Sequence, residues 1–426
     1  MVSPCSRSWL RASCLAIALA WPAWAPAQSG PLGADLPSLL DYARQHNPEL
    51  AAMQHEAQAA AQRVQPAGAL PDPVLRVELM NVNNFGNDAG FNLLPSKVGE
   101  TKYTLMQMIP APGKRDLRRD AAAADARQAE ARSAATWAEQ AMKLRAAFAQ
   151  YWLAAQNERI TGELLELVVQ LEQVAQTRYA GGLAPQQDAI RAQLEQTAIR
   201  SELIAVANEK RQQQARLNAL LGRAAGAGLA EPRALPVVAA AALEPQALAT
   251  RVRERNAAVR TEAARLQAAQ ANRELALRNR YPDFNVGISP SQMGSRLTTW
   301  GVMVEVNIPL QQRARRAQES EAAAMVDAAR ARLEAAATQA AADLDEQLSA
   351  LEAARRNETL IATRQLPQSE LVLQSAVAAY ENGKVDFATL LEAQRQARKA
   401  RLDLLKTQAE QQMRIAEIER TLGEAL

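Results

Sequence analysis

The sequence is written twice. Tyr179-Ala180-Gly181-Gly182 and Tyr380-Glu381-Asn382-Gly383 stand 201 residues apart, and the same offset pairs Ala192-Gln193 with Ala393-Gln394, Arg200 with Arg401, Leu203 with Leu404 and Leu221-Gly222 with Leu422-Gly423. Upstream, Ile109-Pro110 matches Ile308-Pro309 at an offset of 199, and Pro71-Asp72 matches Pro282-Asp283 at 211. Identity between the halves is low, yet the punctuation recurs in one order. Ordered recurrence marks a duplicated architecture. It argues against the two or three unrelated globular domains that 426 residues would otherwise suggest.

Each copy reads as a helical stretch, two strands, a very long helix, a glycine turn and a closing helix. The first repeat spans 28–222, with strands at about 74–82 and 101–110, a long helix over 112–180 and a closing helix over 185–222. After a linker at 223–242, the second spans 243–426, with strands at about 283–290 and 297–308, a long helix over 310–380 and a closing helix over 385–423. The opening stretches are Leu36–Leu70 and Leu243–Arg280. Ile160, Leu164, Leu167, Leu171 and Val174 follow a 4-3-4-3 spacing, a coiled-coil seam that Ile190 and Leu194 are expected to continue. A helix of about 68 residues spans roughly 100 Å, and the opening and closing helices of that copy sum to roughly 110 Å, so two short helices can stack along one long one. The composition fits thin helical layers: 48% of residues are apolar but only 4% aromatic, with Ala runs interleaved with Gln, Glu and Arg.

The first residues read as an export signal. Arg7 and Arg11 precede the apolar run Ala12–Ala20, and Ala25-Pro26-Ala27 supplies small residues for cleavage after Ala27. Removing that segment takes both cysteines, Cys5 and Cys14, and two positive charges, lowering the formal charge from +3 to +1. Lipidation at Cys14 is not expected, because Arg11-Ala12-Ser13 precedes it. Such a near-neutral chain gives no electrostatic case for nucleic acid.

The strands alternate. Trp300, Val302, Val304, Val306 and Ile308 share one face, with Gly301, Met303, Glu305 and Asn307 on the other. Phe284, Val286 and Ile288 likewise oppose Asn285, Gly287 and Ser289; in the first copy Leu75, Val77 and Leu79 oppose Arg76 and Glu78, while Tyr103, Leu105 and Ile109 share a face with Gln107. A transmembrane barrel wall and a half-buried soluble hairpin alternate identically. Export, the helix lengths and a supply of only four strands per chain favour a barrel closed by several copies. Trp300, Val302, Val304 and Val306 are then the lipid face, with Trp300, Phe284, Tyr281 and Tyr103 as interfacial aromatics. The connections Asn81–Glu100 and Pro290–Arg296 are expected on one external side, where a tag near Asn87 would be reached from outside the cell.

With its paired Tyr-x-x-Gly turns, Leu-Gly endings and duplicated helix–strand–strand–helix–turn–helix order, the chain resembles the TolC-like outer-membrane efflux family over nearly its whole mature length. Gln107-Met108-Ile109-Pro110-Ala111-Pro112-Gly113-Lys114-Arg115 is similar to the strand-to-helix segment of the heavy-metal-efflux branch (CzcC/CusC-like). The resemblance implies a homotrimer in the outer membrane: a 12-stranded β-barrel continued by a 12-helix periplasmic α-barrel of coiled coils. It implies as partners a periplasmic adaptor (membrane fusion protein), an inner-membrane pump of the resistance-nodulation-division type, and outer-membrane lipid. It places adaptor docking at the tips, Tyr179, Gly181, Gly182, Tyr380, Asn382 and Gly383, and a gate at Asp188, Thr389 and Glu392. The family carries two acidic positions in its final helix, and Thr389 stands at the first of them here.

Catalysis finds no support, and neither a cofactor nor a metal site is expected. His46 and His55 are nine residues apart, not at the i+3 or i+4 of a metal pair. Met106 and Met108 share a strand face, where lipid or packing contact is the simpler reading than soft-metal binding. The expected function is passive conduction of heavy-metal cations from the pump to the outside. The same duct serving drug or protein export stays open, as does a periplasmic coiled-coil adaptor, which the duplicated strand pairs disfavour.

Overall fold

The computed structural model describes residues 32–83 and 90–426; the signal segment, both cysteines and Asn87 lie outside the described residues. The first repeat contributes α1 (Leu36–His46), α2 (Pro48–Gln62), α3 (Val64–Gly68), β1 (Val74–Met80), β2 (Glu100–Ile109), α4 (Lys114–Ala180) and α5 (Gln186–Leu220). The second contributes α6 (Pro245–Arg255), α7 (Ala257–Arg278), β3 (Phe284–Met293), β4 (Arg296–Val306), α8 (Gln312–Leu360), α9 (Leu366–Glu381) and α10 (Phe387–Leu422). The fold is mainly helical, with one four-stranded sheet and two structural repeats.

The spine is α4, whose 67 residues run about 100 Å. Along one flank lie α2, α3 and α5; along the other lie α7 and α10, and beyond these pack α8 and α9. Short helices are thus stacked end to end beside long ones.

The opening stretches, read as single helices, are broken in the same place in each repeat. Asn47 caps α2 by accepting from the Glu49 and Leu50 amides at 2.9 and 3.1 Å, while its Nδ2 donates to the Leu220 carbonyl at the end of α5 at 2.9 Å. Asn256 does the same for α7, accepting from Ala258 and Val259 and donating to the Thr421 carbonyl at 2.7 Å. One asparagine therefore starts a helix and satisfies a free carbonyl of the helix stacked on it. This junction also explains the Leu-Gly endings. Gly222 and Gly423 have φ of +70° and +76°, and a Cβ on them would lie 3.2 Å from the His46 carbonyl and 2.9 Å from the Arg255 carbonyl. Each junction is surrounded by core: Leu36, Leu39, Phe148, Tyr151, Leu217 and Leu221 in one repeat, Leu248, Val252, Leu344, Ile415, Ile418 and Leu422 in the other.

The second long helix is also interrupted. Ile361–Gln365 form one π-helical turn ahead of Pro367 in α9. Proline removes an amide donor and crowds the carbonyl four residues back, and widening the turn relieves that crowding. Glu166, the residue at the 201 offset, leaves α4 unbroken.

The seam differs from expectation past the turn. Ile160, Leu164 and Leu171 are buried and Leu167 and Val174 half-buried, but Ile190 and Leu194 are 56% and 69% exposed. The face of α5 packed on α4 carries Ala189, Ala192, Ile199 and Val206. Small residues let the two backbones approach, and the large ones turn to the outer flank. Leu360, Leu371 and Val372 are likewise exposed on α8 and α9, at the other end of the helical layer.

Candidate functional site: an inverted sheet and a paired helical tip

The strands pair antiparallel in the order β1-β2-β3-β4, leaving β1 and β4 as open edges. Their register aligns the alternation. Leu75 faces Leu105, Leu105 faces Ile288 and Ile288 faces Val302; Ile109, Phe284 and Val306 form a second such row. The opposite face carries Glu78, Lys102, Ser291 and Thr299 in one row and Met108, Asn285 and Glu305 in another.

Burial on the two faces is the reverse of a soluble hairpin. Trp300, Val302 and Val304 are 71%, 80% and 64% exposed, whereas Thr104, Ser289 and Ser291 on the polar face are 5–7% exposed. Val306, Phe284, Ile288, Tyr281 and Leu75 are exposed as well, and Tyr103 is half-buried with its hydroxyl 3.3 Å from Gln292 Oε1. The polar face is thus the sheltered one and the apolar face the open one, and among the described residues no other element covers the apolar side. Exposed apolar surface on this scale needs a non-aqueous neighbour.

Both strand pairs turn at the end away from the helices, where β1 ends at Met80 and β2 starts at Glu100, and where β3 ends at Met293 and β4 starts at Arg296. The second is tighter than expected: Pro290 belongs to β3, opposite Trp300, and a Gly294-Ser295 turn with Gly294 at φ +61° replaces the loop Pro290–Arg296. Met106 and Met108 point to the polar side, not to the apolar one. Met106 meets Met303 above Gly287, where a Cβ would lie 3.0 Å from Met106 Cγ and 3.4 Å from Met303 Cε.

At the far end the two reversals close alike. Gly182 N–H donates to the Tyr179 carbonyl (2.9 Å) and Leu183 N–H to that of Arg178 (2.7 Å); Gly383 and Lys384 repeat this on Tyr380 (3.0 Å) and Ala379 (2.8 Å). Gly182 and Gly383 take φ of +73° and +70°, the left-handed conformation that ends a helix at a glycine. Gly181 and Asn382, just before them, keep right-handed or near-helical angles, and Asn382 Nδ2 donates to the Ala378 carbonyl.

The matched tyrosines part company. Tyr179 is 46% exposed, but Tyr380 is 1% exposed, edge-on to Phe387 at 5.4 Å and packed with Leu171, Ala175, Ala192, Leu390 and Leu391. Tyr380 is therefore part of the core that joins the two tips and offers no surface. Arg178, which sequence reasoning missed, staples them: Nη1 donates to the Tyr380 and Glu381 carbonyls, each at 2.6 Å, and Nη2 to the Leu183 carbonyl at 3.3 Å. The 201 offset gives Ala379 in the second repeat, so the staple breaks the internal symmetry.

Asp188 is buried at the start of α5. Burial, reinforced by nearby Asp386, pushes its carboxyl above the ordinary value, with Arg191 and Arg178 opposing. Burial likewise raises the Tyr380 phenol, helped by Asp188. Asp386 caps α10, accepting from Thr389 N–H at 2.9 Å and Thr389 Oγ1 at 2.6 Å, and these bonds hold its carboxyl below the ordinary range. Thr389 is thus committed to the cap. Glu392, one turn on, is exposed and accepts from Gln396 Nε2 at 3.0 Å.

The histidines are spoken for. The His46 ring stacks on Tyr42 at 4.1 Å with Nδ1 3.0 Å from the Tyr42 carbonyl, and His55 Nδ1 lies 3.3 Å from Gln58 Oε1. Among the described residues, no group of three or more His, Cys, Asp and Glu side chains is placed to hold a metal, and no helix is long and apolar enough to cross a membrane.

Comparison with known proteins gives the same architecture. The outer membrane efflux protein family matches residues 39–223 and again 248–424, one match per repeat. Among solved structures, the outer-membrane channel OprN aligns with a TM-score of 0.78 at 21% identity over 92% of this chain and 90% of that one. VceC of Vibrio cholerae aligns at 0.76 and 18% identity, covering 92% and 96% of the two chains. CusC aligns at 0.76 and 17% over 92% of each. No curated protein matches the sequence significantly. These similarities at low identity carry the fold; the double family match carries membership. The chain belongs to the outer membrane efflux protein family: it is a TolC-like, non-enzymatic channel protein of the outer membrane, with a periplasmic helical extension, from the class whose members form trimers in tripartite efflux systems.

Proposed function

We propose that three copies of this chain, exported by a signal cleaved after Ala27, pair β4 of one with β1 of the next into a 12-stranded barrel, and that the pore passively conducts heavy-metal cations delivered by an adaptor and a resistance-nodulation-division pump. The inverted sheet with two open edges carries the barrel: closure removes unpaired strand edges, and lipid covers the exposed apolar face. The exposed stripes Ile190, Leu194 and Ile204 on α5 and Leu360, Leu371 and Val372 on α8 and α9 are suited to close the helical layer in the same way.

The acidic mouth supports the metal reading. Asp188 and Asp386 lie together at the tip and Glu392 follows within a turn, so three copies would set rings of carboxylate around one axis, a cation-favouring arrangement. The Gly113-Lys114-Arg115 segment, similar to that of the metal branch, points the same way. In this reading Asp188 and Glu392 form the gate and the reversals around Gly182 and Gly383, with exposed Tyr179, meet the adaptor. Cells lacking the chain should become sensitive to divalent or soft monovalent metal salts and recover with the wild-type protein. Sensitivity to drugs alone would refute the metal reading and leave the channel in place.

A further inference from the structure

The exposed apolar belt ends where strands give way to helices, at Val306 and then at Ile308 and Leu310, both exposed ahead of α8. Here the chain crowds its guanidinium groups: Arg115, Arg118 and Arg119 open α4, Arg278 closes α7 with Arg280 just beyond it, and Arg313, Arg315 and Arg316 open α8. Three of the nearby carboxylates are already engaged, while Asp120 and Glu321 stand further along α4 and α8 and are outnumbered by the eight arginines. Asp283 holds Lys114 at 2.9 Å, Asp116 holds Arg119 at 3.2 Å, and Glu319 holds Arg280.

Other arginines are steadied by groups that cancel no charge. Arg115 donates to the Gly68 carbonyl at 2.8 Å, Arg315 to the Asn279 carbonyl, and Arg278 lies over the Tyr281 ring at 5.7 Å. Arg313 is exposed and forms no ion pair among the described residues; Arg316, also exposed, likewise forms none there and lies near the Glu319 that Arg280 already binds. The first turn of α8 contains no acid, although a helix N-terminus favours one, so its dipole adds to the same positive field. Around the strand ends away from the helices, the described residues supply Lys97, Lys102 and Arg296.

We propose that this collar binds the anionic headgroups of the phospholipid leaflet on the periplasmic side of the outer membrane. The occupant follows from continuity and charge. The belt above it already requires acyl chains, and a guanidinium matches a phosphate oxygen pair in two parallel hydrogen bonds. Exposed Tyr281 and Leu310 anchor the boundary between chain and headgroup. Arg278, Arg313 and Arg316 supply the binding charge.

The test uses the full-length assembled protein in nanodiscs of phosphatidylethanolamine with or without phosphatidylglycerol, reading retained lipid by native mass spectrometry. Wild type should retain phosphatidylglycerol at least tenfold over phosphatidylethanolamine. Each of Arg278→Gln, Arg313→Gln and Arg316→Gln should cost about fivefold, the effect of one basic residue near an anionic surface. The matching lysine variants, which keep the charge but not the paired bonds, should restore part of the preference, and Arg330→Gln, paired to Asp327 further along α8, should change nothing. No preference in wild type, or its survival in the triple glutamine variant, would overturn the proposal. Displacement of the lipid by equimolar inorganic phosphate would also overturn it, because it would mark a free-anion site. Assembly of every variant is read by size exclusion, and single variants replace any triple variant that does not assemble.

Discussion

Gly182 and Gly383 hold the same place in two turns of the same design, yet alanine should cost very different amounts at each. Their φ angles, +73° and +70°, lie where an L side chain costs about 1–2 kcal/mol. At Gly182 a Cβ meets nothing within 4 Å, so that strain is the whole effect. At Gly383 it would sit 2.9 Å from Arg178 Nη2, and the guanidinium must leave carbonyls now 2.6 Å away. Losing those charged bonds at a half-buried site adds about 1–2 kcal/mol, for a total of about 2–4. At 1.4 kcal/mol per factor of ten, amide exchange at the tip should accelerate roughly 5- to 30-fold for Gly182→Ala and roughly 30- to 1,000-fold for Gly383→Ala. Hydrogen-exchange mass spectrometry of the assembled protein would follow the Leu183 and Lys384 amides, which close the two turns. In an Arg178→Ala background, the Gly383 penalty should fall to that of Gly182. Equal penalties in the wild type, or a Gly383 penalty that survives loss of Arg178, would refute the staple.

Other outcomes follow from the same geometry. Asp188 has a raised carboxyl, so its contribution to tip stability is complete below its ordinary value of 3.8 and is lost as pH rises through the higher folded value. Tip exchange should therefore quicken with rising pH over that window beyond the intrinsic rate, and Asp188→Asn should abolish the dependence. Glu392→Gln should weaken cation selectivity and divalent block in single-channel recordings; unchanged conductance and block would remove Glu392 from the gate. Asn47→Ala and Asn256→Ala each remove a helix cap and a bond to the neighbouring helix, and should destabilise their repeats alike, by about 1–3 kcal/mol, in chemical denaturation. Bulky residues at Gly182 and Gly383 should block efflux with the trimer retained.

The duplication and the alternation of the strands were plain in the sequence because both are periodic, and periodicity survives low identity. The direction of the sheet was not plain: Val302 and Val304 alternate identically whether they face a core or lipid, and only the burial, with Ser289 and Ser291 sheltered and the valines open, separates the two. Ile190 and Leu194 misled for a related reason. The helix has two apolar stripes, and the one packed within the chain is made of Ala189 and Ala192, which look indifferent in a sequence rich in alanine. The paired tyrosines looked equivalent, but Arg178 has no counterpart at Ala379, so Tyr380 is walled in while Tyr179 is left open. Asn47 and Asn256 sat inside stretches that looked continuously helical, and their cross-helix bonds to Leu220 and Thr421 become visible only once the stacked helices meet.

The barrel stands or falls on interchain pairing of β4 with β1, which a cysteine scan reads out. Cys5 and Cys14, the chain's two cysteines, leave with the signal segment in this reading, so the introduced residues are the thiols of the mature protein. One cysteine is then placed between Leu75 and Leu79 and another between Val302 and Val306, and oxidation is carried out in intact outer membranes. A closed trimer gives a non-reducing ladder of one, two and three chains that stops there, with reactive pairs recurring at every second residue along each strand. A ladder that runs past three, a chain that stays monomeric, or reactivity without that alternation would contradict it.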